Sequence, residues 1–312
     1  MDDRSAGPVT EALRITRGER RTVYGSAAVA GAAALLIGGG LVTCAFAASW
    51  DLFLEARRYA EAAIENEDSY VAYADQMDGL LAVACVVFPL LFLIALALLA
   101  WLLTAQAVIA AHAWERAAAD RGAGSAAAPG PLTLTTLWRR TRPHLGAAFR
   151  VQLLTAACAA VPGVTWPTYH EPATVQFLLV GRVLPAVLWL LGLVLLARFS
   201  LAAAERVADG CSATAAMRRS WMTTRAARVR TATLFLLCTG ATAAAFLLFR
   251  RLGAYVAHWA GLIMLATTDD NVWVTGVLVT ITPAAVALVL LPLALAPAGA
   301  VLACWRKRLA HG

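Results

Sequence analysis

Six long apolar runs limit what this chain can fold into more than any other feature. They lie near residues 23–48, 80–111, 151–166, 175–196, 231–249 and 272–303. An α-helix rises about 1.5 Å per residue, so roughly 20 apolar residues cross a hydrocarbon core about 30 Å thick. Backbone polar groups inside lipid must be satisfied by a helix or a closed barrel, and the alternating pattern of barrel strands is absent. Hydrophobic residues make up 61% of the chain and charged residues 14%, too apolar a mixture for a surface that faces water on all sides. The expected fold class is all-α: a polytopic integral membrane bundle of about six transmembrane helices, forming a single membrane domain over residues 1–312.

Charge then orients the spans, because loops on the cytoplasmic side carry the excess of Lys and Arg. The N-terminal segment holds five Arg, residues 113–150 hold six, residues 198–230 hold seven, and the C-terminus holds three basic residues. The other five of the 26, Arg57, Arg58, Arg182, Arg250 and Arg251, fall in the alternate loops. Both termini are therefore expected in the cytoplasm. The carboxylates lean the other way, eight inside against eleven outside, so the asymmetry belongs to Arg. Basic charge spread over four juxtamembrane segments is not the single soluble patch that nucleic-acid binding uses, and no nucleic-acid partner is expected. Arg outnumbers Lys 25 to 1 in an alanine-rich chain, the usage of a GC-rich bacterial genome, and the expected location is the bacterial plasma membrane. The first run follows a polar leader and exceeds the length of a signal-peptide core, so it reads as a retained anchor.

A short phrase, Thr-x-x-(Leu/Trp/Met)-Arg-x-(Thr/Ser)-(Arg/Trp), occurs at residues 10–17, 135–142 and 214–221, each time ahead of an apolar run. It divides the chain into three similar units, about 1–118, 131–205 and 206–312, with a Gly, Ala, Ser and Pro linker at 119–131 that reads as flexible and cytoplasmic. Each unit is expected to be a basic interfacial helix followed by a helical pair. On a helix the arginines of the phrase face water and anionic phosphate, while Leu13, Trp138 and Met217 enter the acyl boundary. Arg139, Arg140, Arg142, Arg218, Arg219 and Trp221 are accordingly the candidates for contact with lipid or with a protein partner.

Other features carry less chemistry. The loop at 51–78 has eight carboxylates against two arginines, and Leu52, Ala56, Tyr59 and Ala63 recur at helical spacing, which predicts a helix on the outer surface. Its cluster Glu61, Glu65, Glu67 and Asp68 lacks the spacing of a Ca²⁺ loop. Arg182, within the fourth run, and Arg198, just beyond its end, are with Glu205 candidates for an intramembrane polar pair. The sixth run contains Pro283, Pro292 and Pro297, which predict a kinked or broken helix. Five of the six cysteines fall within or at the ends of apolar runs and read as small buried hydrophobes. There is no HExxH, no GxSxG and no P-loop, and the five histidines are scattered, so no catalytic residue, cofactor site or metal site is assigned.

The stretch LAAAERVADGCSATAAMRRSW at 201–221 and the stretch PLTLTTLWRRTRPHLGAAF at 131–149 resemble the bacterial membrane proteins that correspond to the membrane domain of glycerophosphoryl diester phosphodiesterases. In that family an acidic residue closes the fourth span, matched here by Glu205, then a small-residue turn, matched by Gly210, then an Arg-rich helix ending near Ser-Trp. The chain departs from the pattern at Ala202-Ala203-Ala204, where relatives often have proline. The resemblance implies six spans and an accessory role in an envelope or lipid process; it does not imply an activity, since the phosphodiesterase barrel is a separate soluble domain. The expected function is thus a non-enzymatic membrane protein acting through Arg-rich cytoplasmic helices, with membrane lipids or a cytoplasmic or membrane protein as partner. Two alternatives stay open: a transporter or permease subunit paired with an ATPase, and an intramembrane enzyme.

Overall fold

The computed structural model describes residues 7–65, 74–120, 130–165, 184–268 and 272–311, and every element among them is helical. The first helix, α1 (Pro8–Gly18), has proline in its first turn, where no N–H is needed. It gives way at Glu19 to α2 (Arg20–Ala33), which passes through a π-helical turn at Ala34–Gly38 into α3 (Gly39–Ala48). That turn falls beside Gly38, Gly39 and Gly40, where side chains restrain the backbone least. The others are α4 (Trp50–Glu65), α5 (Ala74–Asp120), α6 (Leu134–Thr165), α7 (Leu184–Phe199), α8 (Ala202–Asp209), α9 (Ala213–Ala226), α10 (Arg228–Thr267) and α11 (Val272–His311).

Among the described residues, four helical stretches are long and apolar enough to cross a bilayer: Arg20–Ala48, Asp78–Asp120, Arg228–Thr267 and Val274–Ala310. They contain the first, second, fifth and sixth apolar runs. The third run closes α6, and the fourth enters the described residues at Leu184 as α7, which has 16 residues. These two helices pack against each other. The linker at 121–129 and the loop residues Glu67 and Asp68 lie outside the described residues.

The proline-rich sixth run is one unbroken helix, contrary to a break at Pro283, Pro292 or Pro297. Hydroxyl donors lie next to the disturbed turn: Thr280 and Thr282 donate to the carbonyls of Gly276 and Leu278, both at 2.7 Å. The cysteines divide. Cys304 is buried, whereas Cys44 and Cys85 are exposed on apolar helices, where a lipid environment makes exposure of a thiol inexpensive.

The chain forms two compact units. The first comprises Met1–Ala27, Leu99–Ala241 and Leu295–Gly312. Its core joins α1, α2, α5, α6 and α11 through Ile15, Val23, Leu102, Ile109, Leu137 and Cys304, among others. Alanines fill much of the remainder, which brings the helices close together. The second unit comprises Ala28–Leu98 and Thr242–Ala294. There a Cβ on Gly31 would lie 2.7 Å from the carbonyl oxygen of Val289, and one on Gly253 would lie 2.8 Å from the backbone of Pro283. Backbone packs directly on backbone at both points. The helix expected in the loop after the first run is α4; among its described side chains Phe53 and Ala56 are buried, and Tyr59, assigned to the same face from spacing, is exposed. Phe53 stacks on Phe46 at 5.8 Å, and Arg57 donates to Glu61 at 2.7 Å and to the carbonyl of Thr268 at 3.5 Å.

Candidate functional site

Within the first unit, the turn from α8 to α9 organises a charged cluster. Gly210 takes a left-handed conformation (φ 63°), which an L side chain adopts only with strain, and its N–H closes α8 on the carbonyl of Arg206. Ser212 then caps α9 by accepting from the N–H of Ala215 at 3.3 Å. Arg206 donates to the carbonyls of Gly210 and Cys211 and ties the turn together.

On α8, Glu205 and Asp209 stand four residues apart and so share a face. Arg306 of α11 reaches both, at 3.0 Å and 3.3 Å. Arg219 of α9 also pairs with Asp209, and the Thr223 hydroxyl donates to Glu205 at 3.5 Å. Glu205 is only 4% exposed. A carboxylate this deeply placed needs a cation and a hydroxyl to offset its lost hydration, and it has both. Arg306 is an arginine the sequence reading treated only as part of a basic terminus.

A second cluster ties α1 and α2 to α5 and α11. Glu11 accepts from Trp114 Nε1 at 2.9 Å and lies 3.8 Å from Lys307, whose ammonium sits 4.3 Å from the centre of the Trp114 ring. Glu19 pairs with Arg116 at 2.8 Å; Arg116 also donates to the carbonyl of Gly130 at 3.1 Å and lies 3.4 Å from His112 Nε2. Glu115 pairs with Arg140 at 3.5 Å. Deeper in the same unit, Gln106 donates to Ser26 at 3.1 Å and Thr22 donates to the carbonyl of Leu132 at 3.0 Å. None of these residues was singled out from sequence except Arg140; His112 Nδ1 lies 3.9 Å from the carboxylate of Glu115.

The three copies of the repeated phrase have one burial pattern. Their third positions, Ala12, Leu137 and Ala216, are buried, and so are their seventh, Thr16, Thr141 and Ser220. Residues four apart form one helix face, so each copy packs the same edge inward. First, fifth and eighth positions are exposed in every copy: Thr10, Arg14 and Arg17; Thr135, Arg139 and Arg142; Thr214, Arg218 and Trp221. Leu13 and Trp138 are exposed beside those arginines. The sixth position differs, since Arg140 and Arg219 are held by Glu115 and Asp209 while Ile15 is buried. Copies one and three form α1 and α9, each ending before a new helix. Copy two shares α6 with the apolar run that follows, where the sequence predicts a separate interfacial helix. Buried Ala148 and Val151 anchor that helix beyond Pro143.

Of the proposed polar pair, Arg182 lies outside the described residues. Arg198 sits with its guanidinium 5.2 Å from the centre of the Trp221 ring, and its carbonyl accepts from Ser220 at 2.6 Å. Glu205 is paired with Arg306 instead. Close by, burial first and the nearby Arg206 charge second push the His144 imidazole below its ordinary value, so it stays neutral near pH 7. Its Nδ1 is buried with no hydrogen-bond partner among the described residues.

The clusters are ion pairs and hydrogen bonds made within the first unit. No group of three or more His, Cys, Asp or Glu among the described residues is disposed to hold a metal ion. The exposed arginines of the repeated phrase remain the chemistry offered outward. Compared with protein-family models, with curated proteins and with solved structures, the chain matches none.

Proposed function

We propose that the chain is a six-span, non-enzymatic protein of a bacterial plasma membrane that assists an envelope or lipid-related process through three Arg-rich cytoplasmic helices. The shared burial pattern of the three phrases carries this reading: one edge packs inward, and Arg14, Arg139 and Arg218 look outward beside apolar side chains. Guanidinium next to an exposed apolar residue is the combination that meets a headgroup phosphate and the acyl chains beneath it. Five carboxylates of the first unit, Glu11, Glu19, Glu115, Glu205 and Asp209, are occupied by internal bases, which leaves the outward field to arginine.

The test is complementation of a deletion strain, read as envelope lipid composition and sensitivity to membrane-active compounds. Arg139→Glu with Arg218→Glu is expected to abolish complementation at normal protein level, whereas Arg139→Lys with Arg218→Lys retains it. Full complementation by the glutamate variant rejects the reading. An ATPase that co-purifies stably in mild detergent moves the protein to the permease class.

A further inference from the structure

A groove of about 300 Å³ opens in the first unit between α10 and α11. Its floor is Leu234 and Trp305, both buried, and its sides are Val229 and Leu237, both largely exposed. Pro8, Thr233 and Arg230 complete the lining. The indole N–H of Trp305 is already given to Thr231 Oγ1 at 3.0 Å, so the ring offers the groove apolar surface. No carboxylate lines it.

The order of these residues along α10 is informative. Arg230, Thr233, Leu234 and Leu237 follow the i, i+3, i+4, i+7 spacing of one helix face and extend over about 10 Å at 1.5 Å per residue. Arg230 is exposed in the first turn of α10, close after Arg225 and Arg228, and the stretch beyond it is one of those apolar enough to cross a bilayer. The cation therefore stands at the end of the groove nearest the basic segment, and the apolar remainder runs toward the hydrocarbon. A small water-soluble ligand would need several convergent polar groups. Here there is one guanidinium and one hydroxyl above an apolar trough. A phospholipid with an anionic headgroup has that same division.

We infer that this groove holds one anionic phospholipid, its phosphate on Arg230 and the upper part of one acyl chain along Leu234 and Leu237 against the Trp305 ring. The inference uses the membrane reading but not the role given to the repeated phrases, so either can fail alone. The test is native mass spectrometry of the full-length protein, delipidated in detergent and then offered dioleoyl phosphatidylglycerol or dioleoyl phosphatidylcholine. The wild type is expected to bind one phosphatidylglycerol about fivefold more tightly than phosphatidylcholine, the preference that one well-placed cation supplies. Arg230→Gln should lose the preference while still binding both lipids. Val229→Trp, at an exposed wall position, should lose both lipids with unchanged thermal unfolding. Equal binding of the two lipids by the wild type overturns the assignment, as do an unchanged preference in Arg230→Gln, undiminished binding in Val229→Trp, or equally tight binding of glycerol 3-phosphate without chains. Absence of any lipid uptake, the result if another protein segment fills the groove, overturns it too.

Discussion

Single residues hold the first unit together where its helices are shortest. The eight residues of α8 are too few for a stable isolated helix, so their position depends on Gly210, Arg206 and the reach of Arg306. Replacing Arg306 by Leu would strand Glu205, 4% exposed, without a cation. Removing one member of a buried pair costs about 3–5 kcal/mol, and Arg306→Leu is expected to lower the thermal unfolding midpoint in detergent accordingly. Adding Glu205→Gln should recover part of the loss, because an uncharged amide needs no partner cation; a double variant as unstable as the sum of the singles contradicts this. His144 gives a dependence on pH. Its imidazole is held below the ordinary value of 6.5, so the unfolded chain takes up a proton before the folded one does. The stabilisation is full above pH 6.5 and is lost as pH falls toward the folded value. Between pH 8 and pH 5.5 the wild-type midpoint should therefore drop further than that of His144→Gln, and equal drops would remove the imidazole as the cause.

At the scale of the element, the long helices were legible and their short connections were not. Apolar length and the ~30 Å core identify α2 with α3, α5, α10 and α11 from sequence, because burial in lipid leaves the backbone little choice. The phrase coincides with α1, the start of α6 and α9; its fifth position, an arginine in every copy, is exposed and legible as such, while the fourth is exposed at Leu13 and Trp138 and half-buried at Met217. Its inward edge is not legible, because the small residues Ala12 and Ala216 give no hydrophobic signal in a chain where alanine is everywhere. The sixth position is not uniform: Arg140 and Arg219, exposed like Arg139 and Arg218, also pair with Glu115 and Asp209, an approach that the sequence does not announce. Glu205 and Asp209 carry an i, i+4 signal that announces a shared face, but their partner lies about a hundred residues away on α11, a distance that no local spacing encodes. Pro283, Pro292 and Pro297 do not break their helix, since a proline removes one backbone bond and a helix of 40 residues retains enough others to continue.

For the whole molecule, the number of crossings turns on α6 and α7. The apolar part of α6 from Val151 to Thr165 spans about 22 Å and α7 about 24 Å at 1.5 Å per residue, both short of a ~30 Å core. Six crossings require both to be completed by residues between 166 and 183, whereas four crossings leave that whole segment, with α6 to α9, on the cytoplasmic side. Arg198, at the other end of α7, lies against the Trp221 ring, and Trp with Arg is the pairing found at a membrane interface. As a helix, the 22 residues of the fourth run would rise about 33 Å, enough for a ~30 Å core, so the six-span proposal predicts that the residues just before it face outward. In a chain with its own cysteines replaced by alanine, a single cysteine at Thr168 should then react with a membrane-impermeant maleimide on intact cells. A cysteine at Asn66 serves as the outward control and one at Ser125 as the inward control, because both the four-span and the six-span arrangements place them alike. Labelling of Thr168→Cys at the rate of Asn66→Cys establishes six crossings. Protection equal to that of Ser125→Cys until the membrane is permeabilised establishes four, and would turn α6 and α7 into a hairpin lying against the inner leaflet beside the three Arg-rich phrases.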